Sequence, residues 1–454
     1  MPHPPIVIPE VGKGEENKIK TTSESLYKIS KEIKEKAPST IILVTPHGTM
    51  LEDSITMIYE DSISGSLKDF GVPEINMDLS INKALTDRIY EITLDQGISS
   101  TLITNNFLQK YCDKVNLDHG ALVPLYFINK HYSNFKLIHI TYAPLSDIEL
   151  YKFGMTIAKA VDELSEDTVF IASGDLSHKL KEESPYKYSP YGEKFDREFL
   201  NHLKNGDTVN AINMDNTTVS NAGECGRNSV VIMLGALEGK KFSGELLSYE
   251  GIFGIGYGVM KFNIISKDTS KLEDLKSLIK SQQDDPYVKL ARESLTTYLT
   301  TGDKLQHLPD YITEDMKNNK RGVFVSLKKK GELRGCIGTI LPTTSSLAEE
   351  IINNAIEAGI YDPRFYEVRK DELLDIDFSV DILTEPEITT KNQLDPKIYG
   401  VIVKSLGHTG LLLPNLEGVD TVDNQVSITL RKAGISENEA YTVERFKVIR
   451  HIEK

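Results

Sequence analysis

The chain has 454 residues, 39% of them hydrophobic and 26% charged, which is too apolar for an extended disordered protein and long enough for two or three domains with separate cores. The formal net charge of -15 repels phosphate backbones, and no basic stripe interleaved with aromatics offsets it, so nucleic acid is excluded as a partner. No run reaches the roughly 18 to 20 consecutive apolar residues that span a bilayer, and Met1-Pro2-His3-Pro4-Pro5 lacks a basic region followed by an apolar one. These features predict a cytoplasmic protein without a membrane partner. Three cysteines, Cys112, Cys225 and Cys336, are an odd and scattered set, which argues for reduced thiols over a disulfide framework.

In chain order, Leu26, Ile29 and Ile33 mark one face of a first helix, and Thr40 to Val44 reads as a buried strand. Leu85, Ile89 and Ile92 predict a second helix, and Asp147 to Leu164 a third. Strands are predicted at Leu122 to Ile128, Lys136 to Thr141, Thr168 to Ala172, Ser243 to Glu250 and Gly256 to Ile265. This alternation predicts an α/β domain with a central sheet flanked by helices over residues 1–268. Residues 269–284 are polar and weakly patterned and read as a linker. Beyond them Asp285-Pro286 opens a helix to about Thr300, and Arg321 to Leu327, Asp377 to Leu383, Val401 to Val403 and Leu411 to Leu413 read as strands. A smaller α+β domain over 285–454 is therefore expected.

Five segments of the first domain put ligand-capable side chains where strands end or helices begin: Pro2-His3-Pro4, Thr45-Pro46-His47-Gly48, Leu117-Asp118-His119-Gly120, Ser173-Gly174-Asp175-Leu176-Ser177-His178, and Ala222-Gly223-Glu224-Cys225-Gly226-Arg227. In an α/β sheet, the carboxyl ends of strands are where ligands gather. Two neutral imidazoles and one carboxylate on one face of Fe(II) leave positions open for substrate and dioxygen. His131, His139 and His202 fall outside these segments and read as structural or surface residues, and Gly254, Gly256 and Gly258 are followed by no capped helix that would make them a nucleotide loop.

Asp118-His119-Gly120 with Val123-Pro124-Leu125, and Ser173 to His178, resemble the B-type subunits of the class III extradiol ring-cleavage dioxygenases and the related Memo family, over roughly residues 1 to 265. The resemblance implies His3 and His47 as imidazole ligands, Glu224 as the carboxylate ligand, His178 as the acid/base residue, His119 as a second active-site histidine, and Asp175 as the residue orienting His178 or its loop. Memo-like members carry a cysteine where the dioxygenases carry the carboxylate, and here Glu224 and Cys225 offer both. A carboxylate favours Fe(II) or Mn(II) and a thiolate favours Cu or Zn(II); Fe(II) is the first expectation.

Leu333-Arg334-Gly335-Cys336-Ile337-Gly338-Thr339, Asp362-Pro363-Arg364-Phe365 and Gly410-Leu411-Leu412-Leu413-Pro414 resemble the AMME chromosomal region candidate domain. Arg334 and Arg364 are candidate anion binders and Cys336 a candidate activated thiolate, against the plainer reading that the glycines permit a tight turn and Cys336 fills space. The fusion resembles the AmmeMemoRadiSam system, which implies a radical SAM protein partner; a homo-oligomer is left open. Two functions follow from the resemblance. One is a non-haem dioxygenase or related oxidoreductase acting with dioxygen on a small catechol-like aromatic compound; the other is a metal-binding component of such a system that cleaves no catechol.

Overall fold

The computed structural model describes residues 1–182, 186–281, 285–329, 331–416 and 418–453. The chain divides into two compact units, Met1–Lys276 and Ser277–Lys454. The first contains nine strands among the described residues: β1 Thr40–Thr45, β2 Ile55–Ile58, β3 Ser62–Leu67, β4 Val72–Ser80, β5 Ser100–Ile103, β6 Lys136–Thr141, β7 Thr168–Ala172, β8 Lys240–Glu250 and β9 Tyr257–Lys267. Five of them form a central sheet in the order β5-β2-β6-β1-β7, and β3–β4 and β8–β9 are separate hairpins.

The central strand β1, Thr-Ile-Ile-Leu-Val-Thr, is buried along its whole length and pairs in parallel with β6 and β7. Its side chains alternate between two cores, as the two-residue period of a strand dictates. Ile41 and Leu43 meet Leu26, Ile29 and Ile33 of the helix Lys20–Lys36. Ile42 and Val44 meet Leu85 and Ile89 of Lys83–Asp95 and Leu150 and Ile157 of Asp147–Leu164. β2 runs antiparallel to β6, so the sheet is mixed. The expected α/β architecture is present.

Two expectations change. Leu122 to Ile128 is not a strand but the body of a helix, His119–Asn129, whose cap is Asp118 accepting the Ala121 N–H at 3.1 Å. Every residue from Gly120 to Ile128 is buried, so the run shows no amphipathic period, and a short continuous apolar stretch then reads as a strand. In the expected linker, Leu272–Ser281 is helical and Leu275 lies fully buried in the first unit's core; residues 282–284 lie outside the described set.

The second unit holds β10 Val323–Lys329, β11 Glu332–Thr339, β12 Ile376–Leu383, β13 Glu387–Ile388, β14 Gly400–Ser405, β15 His408–Leu412, β16 Thr442–Phe446 and β17 Val448–Ile452. They form two antiparallel sheets, β11-β10-β12-β17 and β13-β16-β14-β15. The helices Pro286–Thr301 and Leu347–Ile356 pack Leu290, Leu295, Ile351 and Ala355 against Val323, Val325, Phe378 and Val380. The Leu333 to Thr339 string lies along β11, and its glycines serve close packing, not a tight turn. A Cβ on Gly335 would stand 2.1 Å from the Ala358 carbonyl oxygen, and one on Gly338 2.3 Å from the Phe324 ring. Arg334 donates to the Tyr366 and Glu367 carbonyls and to Glu372, and Arg364 to Asp362 and the Cys336 carbonyl, so both guanidiniums tie β11 to neighbouring segments. Among the described residues no helix is long and apolar enough to cross a membrane.

Candidate metal centre

Four of the five polar segments converge at the carboxyl ends of β1 and β7, and the fifth, Pro2-His3-Pro4, is drawn in beside them. The amino group of Met1 donates to the Ala172 carbonyl at 2.7 Å, and the Gly174 N–H donates to the Met1 carbonyl at 3.1 Å. Asp175 Oδ1 accepts the His3 N–H at 2.9 Å, which leaves His3 only 2% exposed. Through this bond Asp175 ties the loop that carries His178 to the His3 backbone.

His3 Nε2 and His47 Nε2 stand 3.1 Å apart. The protonation of His3 follows from its neighbours. Ser173 Oγ spends its proton on the Gly120 carbonyl at 2.5 Å, so it accepts from His3 Nδ1 at 2.9 Å, and Nε2 is left as a bare lone pair. Two acceptor nitrogens this close repel unless a proton or a cation lies between them. Cys225 Sγ lies 3.7 Å from His3 Nε2 and 3.7 Å from His178 Nε2. The ligand atoms of His3, His47 and Cys225 all fall within 4.8 Å of one another. Ligands about 2.0 to 2.3 Å from a common ion are separated by distances of this size, so these residues fit a metal.

Glu224 does not join them. Its Oε2 accepts the Arg227 N–H at 2.6 Å, at the start of the helix Arg227–Ala236, where a carboxylate satisfies an orphan donor and meets the positive end of the helix dipole. The Arg227 guanidinium is itself paired with Asp147 at 2.7 Å. The expected carboxylate ligand is therefore turned toward the helix, and the thiol of the neighbouring Cys225 is the group that lies beside His3 and His47. Gly174 and Gly226 let the two loops touch: a Cβ on Gly174 would stand 2.0 Å from Gly226 Cα. Across that contact the Asp175 N–H points at Cys225 Sγ at 3.3 Å, and the Gly226 N–H donates to the Asp175 carbonyl at 3.0 Å. Tyr142 fixes the other side of the turn through its hydroxyl, which donates to the Cys225 carbonyl at 2.9 Å.

His119 stacks on His47 with centroids 4.3 Å apart and meets His3 edge-on at 5.4 Å. Phe70 borders His119 at 5.5 Å, and Tyr186 stacks on His178 at 5.4 Å. Burial, reinforced by His47, holds His3 down at about 3, and burial with His47 and His3 holds His119 at about 4. Burial also lowers His47 and His178, against the opposing pull of Asp175. All four imidazoles are thus neutral at pH 7, the state that binds metal or accepts a proton. Burial and the neighbouring Asp175 push the Cys225 thiol up, so a cation is needed to make its thiolate. Sequence reasoning missed Tyr142, Phe70 and Tyr186, which no motif marks; Ser173 lies inside one of the five polar segments but carries no sign of its bond to His3.

The family described as the catalytic LigB subunit of aromatic ring-opening dioxygenase matches residues 1–260, and AMMECR1 matches residues 288–451. Protein CA_C1420 of Clostridium acetobutylicum is 62% identical over 459 residues, spanning 100% of this chain and 98% of its own length. A Thermotoga maritima protein is 48% identical over 170 residues, 36% of this chain and 97% of its own. The crystal structure of the uncharacterised PH0010 from Pyrococcus horikoshii is 30% identical over 36% of this chain and 88% of that one, with a TM-score of 0.33. The chain belongs to the family of the catalytic LigB subunit of aromatic ring-opening dioxygenases and carries an AMMECR1 domain behind that unit.

Proposed function

We propose that the first unit is a metal-binding domain of the Memo-like kind, in which His3, His47 and the Cys225 thiolate hold one transition-metal ion and His119 and His178 handle protons beside it. The observation that carries this reading is the exchange at positions 224 and 225: the thiol lies 3.7 Å from His3 Nε2, and the carboxylate is engaged by the Arg227 N–H. Two imidazoles and a thiolate favour Zn(II) or Cu(I) over the Fe(II) of a His-His-carboxylate face. Such an ion supplies Lewis acidity to an oxygen-bearing ligand. The chain's own contribution is to hold His3 by its ring and backbone, to keep His178 neutral with Nε2 toward the cluster, and to place Phe70 and Tyr186 against His119 and His178.

The ring-cleaving reading keeps one specific support, the two neutral histidines His119 and His178 with the aromatic rings of Phe70 and Tyr186 against them, where a catechol-like substrate would meet proton acceptors. Anaerobic purification, metal analysis and a panel of catechols with dioxygen separate the two. Stoichiometric zinc or copper without ring-opened product supports the Memo-like component, and iron with extradiol product replaces it by the dioxygenase.

A further inference from the structure

Behind the two ligand-bearing turns lies a buried histidine that the site as described does not use. His139 sits on β6, opposite Leu43 of β1, and is 1% exposed. Its Nε2 bonds Asp118 Oδ2 at 2.9 Å, whereas its Nδ1 is buried without a hydrogen-bond partner, as is Thr141 Oγ1 two residues on along the same face. A buried imidazole with one nitrogen unpaired stabilises a core less than an apolar side chain of similar volume, so packing alone does not account for it.

What the pair touches gives it a role. Asp118 Oδ1 accepts the Thr45 hydroxyl at 2.7 Å and caps the helix that begins with His119 through the Ala121 N–H at 3.1 Å. Thr45 Oγ1 in turn accepts the His47 N–H at 3.3 Å. Two glycines close over the group. A Cβ on Gly48 would stand 2.2 Å from Thr141 Oγ1 and 2.9 Å from His139 Cε1, and one on Gly120 would stand 2.4 Å from Thr45 Oγ1 and 2.8 Å from Asp118 Oδ1. The turn that carries His47 therefore rests on the His139 ring, and the helix that carries His119 is tied to the same carboxylate. Burial raises the Asp118 pKa, but the bonds from His139 and Thr45 more than offset it and hold the group ionised, so His139 Nε2 is the donor.

We propose that the Asp118–His139 pair is a positioning unit: acting through Thr45 and the first turn of His119–Asn129, it fixes His47 and His119 against each other and so sets the affinity and geometry of the metal centre. The inference rests on the metal-centre reading above. His139 and Asp118 touch no ligand atom of that centre and act through the residues that do.

The test uses the full chain with Zn(II) and Co(II) as probes. His139→Leu keeps the volume and removes the donor, His139→Gln restores an N–H donor, and Thr45→Val cuts the same relay from its other end. Zn(II) affinity by chelator competition is expected to fall about 10-fold or more in His139→Leu and Thr45→Val, the usual effect of removing support behind a ligand. The visible bands of the Co(II) form, which report coordination geometry, are expected to shift in both variants and to return in His139→Gln. His131→Leu, a histidine remote from the site, controls for the loss of an imidazole. If His139→Leu does not fold, Thr45→Val and His139→Gln carry the test. Wild-type Zn(II) affinity and Co(II) bands in the folded variants overturn the positioning role and leave the metal centre standing. A wild-type chain that takes up neither ion overturns both.

Discussion

Replacing Asp196 by asparagine should remove a pH dependence of stability that the buried carboxyl imposes on the first unit. Asp196 projects from the helix Pro190–Lys204 beneath the loop that carries His178, and is 1% exposed. Its two oxygens accept the Ser177 N–H at 2.8 Å and the Tyr249 hydroxyl at 2.7 Å. Burial, with Glu224 and Glu193 adding to it, overrides those bonds and raises the group from 3.8 to about 7. Below pH 4 the carboxyl is protonated folded or unfolded, and no stability is lost. Between pH 4 and 7 the folded state keeps a proton that the unfolded chain has released, so stability falls as pH rises and is fully lost above the folded pKa. Three pKa units at about 1.4 kcal/mol each give about 4 kcal/mol, an upper figure, or about 10 °C in the melting midpoint of a unit of this size. The neutral amide of Asp196→Asn carries no such cost. The depressed histidines, His3 and His119 among them, act with the opposite sign, adding stability as pH rises from their folded pKa to about 6.5, so the wild-type minus variant difference isolates Asp196. Calorimetric melts of both chains at pH 5, 6.5 and 8 should give a difference that grows with pH in favour of Asp196→Asn. Parallel pH profiles, or a variant less stable at pH 8, would refute the reasoning.

Four further outcomes follow from the geometry. Gly174→Ala drives a Cβ into the Gly226 backbone, and should cost about 3 kcal/mol and abolish metal uptake, measured by thermal melt and metal analysis. His178→Ala should retain metal stoichiometrically, because His178 stands outside the three-ligand group; loss of metal would promote it to a ligand. A fragment ending at residue 281 should be soluble and more stable than one ending at 268, by about 2 to 3 kcal/mol in urea melts, because only the longer piece keeps Leu275 in its core. Glu453→Gln should cost the second unit about 3 kcal/mol in chemical denaturation, because the Glu453 carboxylate pairs with the mostly buried Arg292 and accepts the Phe378 N–H at 2.8 Å.

The sheet was legible where period and punctuation agreed. Thr40 to Val44, Lys136 to Thr141 and Thr168 to Ala172 are strands, and Asp147 to Leu164 begins and ends where its pattern does. The helix His119–Asn129 was illegible because a segment buried on all sides carries no period, although its Asp118 cap stood in plain view. Leu272–Ser281 reads as linker in the sequence because its apolar positions are few, and the burial of Leu275 depends on a core assembled elsewhere in the chain. In the candidate site, the glycine- and proline-marked histidines lie on loops that the fold brings together. Which of Glu224 and Cys225 faces His3 is not readable from spacing, because the orientation of the carboxylate depends on one backbone N–H, that of Arg227. His139 looked incidental because its partner Asp118 lies 21 residues away in sequence, and only the pairing of β6 with β1 brings the two under the His47 turn.

The central claim is that sulfur, not a carboxylate, completes the metal's protein ligands. X-ray absorption at the K edge of the metal bound to the full chain tests it directly. One sulfur neighbour at about 2.3 Å is expected together with imidazole nitrogens at about 2.0 to 2.1 Å, the sulfur signal vanishing in Cys225→Ser and persisting in Glu224→Gln. A first shell of nitrogen and oxygen alone, unchanged by Cys225→Ser and altered by Glu224→Gln, would contradict it.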